Sequence, residues 1–144
     1  MYNNLGIVQT NKIQDMSRIT FKSDKNLYIV QKNEVEIGYI YYDVRKYKSI
    51  YSLYIYYIEI FEEYRRQKYG TSVIKYLFDY RQNGKTIMNI YGETASRQAV
   101  LWLEYLGANF HSSKHRINLD LENNVAVGFG LNRYKFFKEI AKND

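Results

Sequence analysis

The stretch richest in chemistry is Ile58-Glu59-Ile60-Phe61-Glu62-Glu63-Tyr64-Arg65-Arg66-Gln67-Lys68-Tyr69-Gly70-Thr71-Ser72-Val73-Ile74. An apolar run meets a basic turn, and the turn passes straight into residues with helical spacing. Such a turn presents several backbone N–H groups together. The helix start adds its own uncompensated N–H groups and the positive end of the helix dipole. The sum is an anion cradle suited to a pyrophosphate. Arg65, Arg66 and Lys68 supply charge, Gly70 permits close backbone approach, and Thr71 offers a hydroxyl.

Groups that could move a proton lie nearby. Glu59, Tyr54 and Tyr56 fall on the apolar run itself, and Glu93 falls at the end of the next predicted strand. Strict strand alternation puts Glu59 and Ile60 on opposite faces, and Tyr56 and Glu59 likewise. Glu59 is either a general base, acting directly or through water, or a carboxylate at a solvated strand end; Glu93 carries the same two readings. His111 and His115 are four apart, but the residues between them do not read as a helix and no carboxylate cluster accompanies them. No metal site is expected.

These groups need elements to hold them. Residues 17–22 read as a short strand, and 27–31 and 35–42 as a hairpin around Lys32-Asn33-Glu34. A second turn at Arg45-Lys46-Tyr47-Lys48 leads into 50–61, where apolar residues occupy both parities, the mark of a central strand covered on both faces. That basic turn is a solvated hairpin tip or a steering element for an anionic acceptor. Val73, Ile74, Leu77 and Phe78 then repeat at helical spacing, with Asn83-Gly84 as the stop. Residues 86–91 read as a strand. Ser96 caps a helix bearing Ala99, Val100, Leu103 and Leu106, ended by Gly107, and 108–111 read as another strand. Ile117, Leu119 and Leu121, then Val125, Val127 and Phe129, alternate around Asn123-Asn124 and predict a hairpin. Leu131, Tyr134, Phe137 and Ile140 predict a terminal helix.

Residues 65–70, Arg-Arg-Gln-Lys-Tyr-Gly, between a strand and a helix, resemble the acetyl-CoA signature of the GNAT N-acetyltransferases, Gln/Arg-x-x-Gly-x-Gly/Ala. The first and last positions match, and Lys68 stands where the first Gly is usual. The later segment Ser96-Arg-Gln-Ala-Val-Leu-Trp-Leu-Glu-Tyr-Leu-Gly-Ala-Asn-Phe110 resembles the family's Asn-x-x-Ala…Tyr-x-x-x-Gly-Phe, with Ser96 for Asn, Ala99 for Ala and Gly107 for Gly. The resemblance spans about residues 26–112. It implies a single acyltransferase domain over 1–144 with an α/β (α+β mixed) fold: a central mixed, mostly antiparallel twisted sheet, splayed central strands, and helices on both faces. It further implies acetyl-CoA as co-substrate, held by Ile60, Phe61, Arg65, Arg66, Gln67, Lys68, Tyr69, Gly70, Thr71 and Ser96. Acetyl transfer would run directly to a primary amine, with Glu59, Glu93 or Tyr56 as catalytic groups. The position of the family's usual acidic Tyr is held by Leu103.

Composition bounds the rest. The chain has 144 residues, 46% hydrophobic and 25% charged, which is globular. It contains no cysteine, which excludes a disulfide framework, a thiolate metal site and a cysteine nucleophile, and which fits a reducing cytoplasm. No apolar window is long enough for a membrane span. A net charge of +6 favours anionic partners; it admits nucleic acid, although no long basic helix or arm demands it. The resemblance implies a small-molecule or protein amine as acceptor, and an anionic one fits the charge. Edge strands and an abbreviated N-terminal region allow a homodimer. Two alternatives stay open: a GNAT-like binding or regulatory protein without turnover, and a toxin-like enzyme acetylating aminoacyl-tRNA.

Overall fold

The computed structural model describes residues 5–9, 27–64, 69–79 and 85–142. The expected strand at 17–22, the basic turn residues Arg65, Arg66, Gln67 and Lys68, and the Asn83-Gly84 stop lie outside the described residues. Strands and helices follow in the order β1 (Leu5–Gln9), β2 (Leu27–Lys32), β3 (Val35–Tyr47), β4 (Ile50–Ile60), a 3-10 turn (Glu62–Tyr64), α1 (Tyr69–Asp79), β5 (Ile87–Thr94), α2 (Arg97–Tyr105), β6 (Asn109–Phe110), α3 (Lys114–Glu122), β7 (Val127–Asn132) and α4 (Arg133–Ala141). This is the mixed α/β fold expected. Among the described residues the strands are hydrogen-bonded in the order β1-β2-β3-β4-β5-β7-β6. No helix among them is long and apolar enough to cross a membrane.

The chain divides into two compact units, Met1–Asp43 with Ile55–Leu77, and Val44–Tyr54 with Phe78–Asp144. In the first, β1, β2 and β3 form an antiparallel meander. The β2–β3 turn places Asn33 and Glu34 at φ of 52° and 67°, the left-handed pair that matches the twist of a two-residue hairpin. Leu27 pairs with Tyr41 and Ile29 with Tyr39, so one face carries a core of these four side chains, completed by Tyr57 and Phe61. The opposite face carries Tyr28 stacked on Tyr42, with centroids 4.5 Å apart. Val73, Ile74 and Leu77 of α1 are at most 1% exposed, as their helical spacing requires.

In the second unit, β7 pairs antiparallel with β5, Asn89 opposite Asn132 through Thr94 opposite Val127, and β6 pairs with β7 on its other edge. Val100, Ile117, Leu121 and Val127 form its core with Phe110 against them, while Phe78 packs on Phe136 with centroids 5.2 Å apart. The Arg133 guanidinium donates to the carbonyls of Phe78 and Ile87, meets Asp79 at 3.5 Å and lies over the Phe137 ring. It thereby satisfies the Phe78 carbonyl, which the end of α1 leaves orphaned, and ties it to the start of β5. Gly107 ends α2 at φ +89°, and a Cβ there would lie 2.8 Å from Glu139 Cγ.

Three expectations are corrected. The predicted hairpin around Asn123-Asn124 is instead helix α3 followed by β7. Ile117 and Leu121 satisfy a two-residue and a four-residue period alike, and the Ser113 cap on the Arg116 N–H and the Arg116–Asp120 ion pair at 3.1 Å favour the helix. Leu119, which the strand pattern would bury, is 40% exposed. The second turn lies at Lys48-Ser49, with φ of 48° and 67°, so Arg45, Lys46 and Tyr47 belong to β3. The terminal helix forms, but Leu131 belongs to β7, Tyr134 is 72% exposed, and Phe136 is the fully buried residue of the helix. The Asn132 cap, accepting from the Tyr134 and Lys135 N–H groups, sets that phase.

Candidate active site

The first unit's chemistry is set by a break in the strand alternation of β4. The Tyr56 ring meets the Tyr41 ring edge-on at 5.1 Å, while its neighbour Tyr57 packs on the core formed by Leu27, Ile29, Tyr39 and Tyr41. Consecutive residues of a regular strand point to opposite faces. Here both reach the same one. The two-residue turn at Lys48-Ser49 would set Ile37 opposite Ile60, yet it is the Phe61 N–H that donates to the Ile37 carbonyl, at 2.8 Å. One extra residue is thus accommodated in β4, the signature of a β-bulge. Strict alternation separated Tyr56 from Glu59; the bulge brings both to the Tyr39–Tyr41 face.

On that face the Tyr57 hydroxyl donates to Glu59 Oε2 at 2.9 Å, and the Tyr56 hydroxyl donates to Asp43 Oδ2 at 2.8 Å. Tyr39 packs edge-on against Phe61 at 5.1 Å. Burial, then the charges of Glu36 and Glu59, push the Tyr39 phenol above its ordinary value of 10.0. Gly38 lies under the bulge: a Cβ there would stand 2.1 Å from the Glu59 carbonyl oxygen. Tyr57 and Gly38 were missed in the sequence. The signal for Tyr57 was its place two residues before Glu59, the spacing that puts strand neighbours on one face.

Beyond β4 the chain turns at once. Phe61 N–H goes to Ile37, and the Phe61 carbonyl accepts from the Tyr64 N–H at 2.8 Å. Both backbone groups of Phe61 therefore serve the fold, leaving only the carbonyl's second lone pair. Helix α1 opens at Tyr69, with Gly70 and Thr71 in its first turn and no acidic side chain there to oppose an anion.

The second unit holds the remaining candidates. Glu93 is an exposed residue of β5, opposite Gly128 of β7. Ser96 is the N-cap of α2: its hydroxyl oxygen accepts from the Ala99 N–H at 3.2 Å, and its own N–H donates to Thr94 Oγ1. Leu103 is 3% exposed and faces the core, whereas Tyr105 is 51% exposed. His111 follows β6, and His115 lies in the first turn of α3. Among the described residues no three His, Cys, Asp or Glu side chains group as a metal site.

No protein-family model matches the sequence, and no curated protein matches it. The structure does match solved ones. Arabidopsis thaliana Naa50, in complex with the bisubstrate analogue CoA-Ac-MVNAL, superposes with a TM-score of 0.58 at 14% identity, over 90% of this chain and 99% of that one. The N-acetylglutamate synthase of Neisseria gonorrhoeae, complexed with coenzyme A and N-acetyl-glutamate, gives 0.58 at 11% identity, over 89% of this chain and 35% of that one. A putative streptothricin acetyltransferase from Bacillus anthracis, in complex with acetyl coenzyme A, gives 0.53 at 20% identity, over 74% and 61%. This chain has the fold of the GNAT acetyltransferases.

Proposed function

We propose that the protein is an acetyl-CoA-dependent N-acetyltransferase that passes an acetyl group directly to a primary amine. The observation that carries the reading is the bulged end of β4, with Tyr57 and Glu59 paired on one face, running through a tight turn toward a helix start without acidic residues. That the three matched structures hold CoA, a CoA-bearing analogue or acetyl-CoA supports the same reading.

On this reading the first turn of α1, with Tyr69, Gly70 and Thr71, holds the pyrophosphate, joined by Arg65, Arg66, Gln67 and Lys68 of the preceding basic turn. Ile60 and Phe61 mark the course of the pantetheine arm. Acetyl-CoA supplies the activated acyl carbon and a thiolate leaving group. The amine must approach as the free base. Glu59 accepts its proton, and Tyr57 holds the carboxylate in one orientation, so the rotamer need not be found at each turnover. As the amine nitrogen bonds to the carbonyl carbon, the C–S bond breaks and the departing sulfur takes up a proton, giving the amide and free CoA. Glu93 and Tyr56 are the alternative groups for proton transfer. The acceptor is a small-molecule or protein amine.

Calorimetric titration with acetyl-CoA, with desulfo-CoA and free CoA as controls, tests the first half. Micromolar binding that Gly70→Glu abolishes is the expected result; no binding at millimolar ligand overturns the proposal. A panel of amines, read by release of free thiol, tests transfer.

A further inference from the structure

The ribbon formed by the end of β3 and the start of β4 has a surface that acetyl transfer does not require. Residues 44–50 are exposed without interruption. Alternation sends neighbouring strand residues to opposite faces, so seven exposed residues in a row leave both faces of the ribbon tip open to solvent. No acidic residue occurs between 44 and 54.

Cations and tyrosine rings are interleaved along it. Lys46 and Lys85 both approach the Tyr51 ring, with Nζ 5.9 Å and 5.0 Å from its centroid. Arg45 lies 4.6 Å over Tyr54, and Lys48 lies 5.4 Å from the centre of Tyr47, which is 73% exposed. Adjacent residues Arg45 and Lys46 point to opposite faces, so each side of the ribbon carries charge beside an aromatic surface.

We propose that this ribbon is a binding surface for single-stranded nucleic acid. Phosphates spaced along a backbone match cations spaced along a ribbon, and an unstacked base has a flat face to lay on the exposed Tyr47 ring. A duplex keeps its bases stacked and has no use for exposed rings. An acidic peptide would use the charge and leave the tyrosines without a role. A bilayer is met tip first, and the tip here is Lys48-Ser49, with the apolar side chains of Val44 and Ile50 behind it. The inference stands apart from acetyl transfer, because it concerns none of the residues assigned to that reaction.

The test is fluorescence anisotropy with a labelled, unstructured RNA of about a dozen nucleotides, roughly the span of one small single-strand-binding domain. DNA of the same sequence, the corresponding duplex, polyglutamate and phosphatidylserine vesicles are the comparison arms. The expected result is salt-dependent binding to the single strands, weaker binding to the duplex and none to polyglutamate or vesicles. Lys46→Glu with Lys48→Glu should weaken binding by about tenfold or more and flatten its salt dependence. Tyr47→Ala, at a site 73% exposed, should weaken it by about fivefold or more without changing that dependence. Circular dichroism and thermal melting confirm that both variants fold. The proposal is overturned if the single strands do not bind at low salt, if the variants bind like the parent, or if duplex, polyglutamate or vesicles bind as tightly.

Discussion

The Tyr57 hydroxyl donates to the Glu59 carboxylate at 2.9 Å, from two residues earlier on the same strand. A two-residue spacing on a strand puts both side chains on one face, and the bulge in β4 chooses the face shared with Tyr39 and Tyr41. A partly buried carboxylate held this way is oriented before any substrate arrives. If Glu59 takes the proton from the acceptor amine, Glu59→Gln should lower kcat by about a hundredfold or more. Tyr57→Phe keeps the ring in the core and removes only the donor, so the loss should be nearer tenfold, the order set by one hydrogen bond to a charged group. Steady-state kinetics of both variants, with KM for acetyl-CoA unchanged, is the expected outcome. Wild-type turnover by Glu59→Gln would transfer the role to Glu93 or Tyr56.

Tyr39 reports on the same cluster. Its phenol is raised by burial first, then by Glu36 and Glu59. An acid whose proton is held more tightly in the folded chain contributes stability that is intact below the unfolded-state value and is lost as pH climbs from there through the folded value. Stability should therefore decline as pH rises beyond 10.0, and Tyr39→Phe should remove part of that decline. Denaturant midpoints across the alkaline range measure it. An unchanged alkaline slope in the variant would show that other groups cause the loss.

Gly38 has no room for a side chain. Its Cβ would stand 2.1 Å from the Glu59 carbonyl oxygen, a backbone atom that cannot swing aside. Gly38→Ala should destabilise the fold by about 3 kcal/mol, the upper end for a forced small-to-large change, and should disturb Glu59 with it. Urea denaturation and kinetics together test the link. Lost activity at full stability, or the reverse, would separate the bulge from the carboxylate.

Leu103 occupies the place where the resemblance led one to look for a tyrosine, and it is 3% exposed. Leu103→Tyr should cost about 1–3 kcal/mol by overpacking and add nothing to turnover. A gain in kcat would mean that the new hydroxyl reaches the reacting atoms.

Ser96 caps α2 through the Ala99 N–H. Ser96→Ala should lower stability by about 1 kcal/mol, the usual worth of a cap, as read by urea denaturation. A parallel loss of affinity in calorimetry would give the hydroxyl a second task in binding the co-substrate.

How much of this was legible beforehand follows from the range of each interaction. Helices α1 and α2 were readable because their apolar spacing, the Ser96 cap and the Gly107 stop are local signals that the backbone obeys wherever it lies. The strand at residues 50–60 was readable from its unbroken apolar run, and the first hairpin from its turn. Where one pattern satisfied two periods, as Ile117 and Leu121 do, apolar spacing alone could not choose; the cap at Ser113 and burial against Val100 and Val127 decided the helix. The need for Gly38 was likewise out of reach, because the Glu59 carbonyl oxygen that crowds it belongs to another strand. The sequence by itself determined most of the elements, the chemistry available and the basic character of the chain. Only the tertiary structure decided which face Tyr56 and Glu59 share, because an extra residue in β4 is defined by the hydrogen bond from Phe61 to Ile37, a partner on another strand.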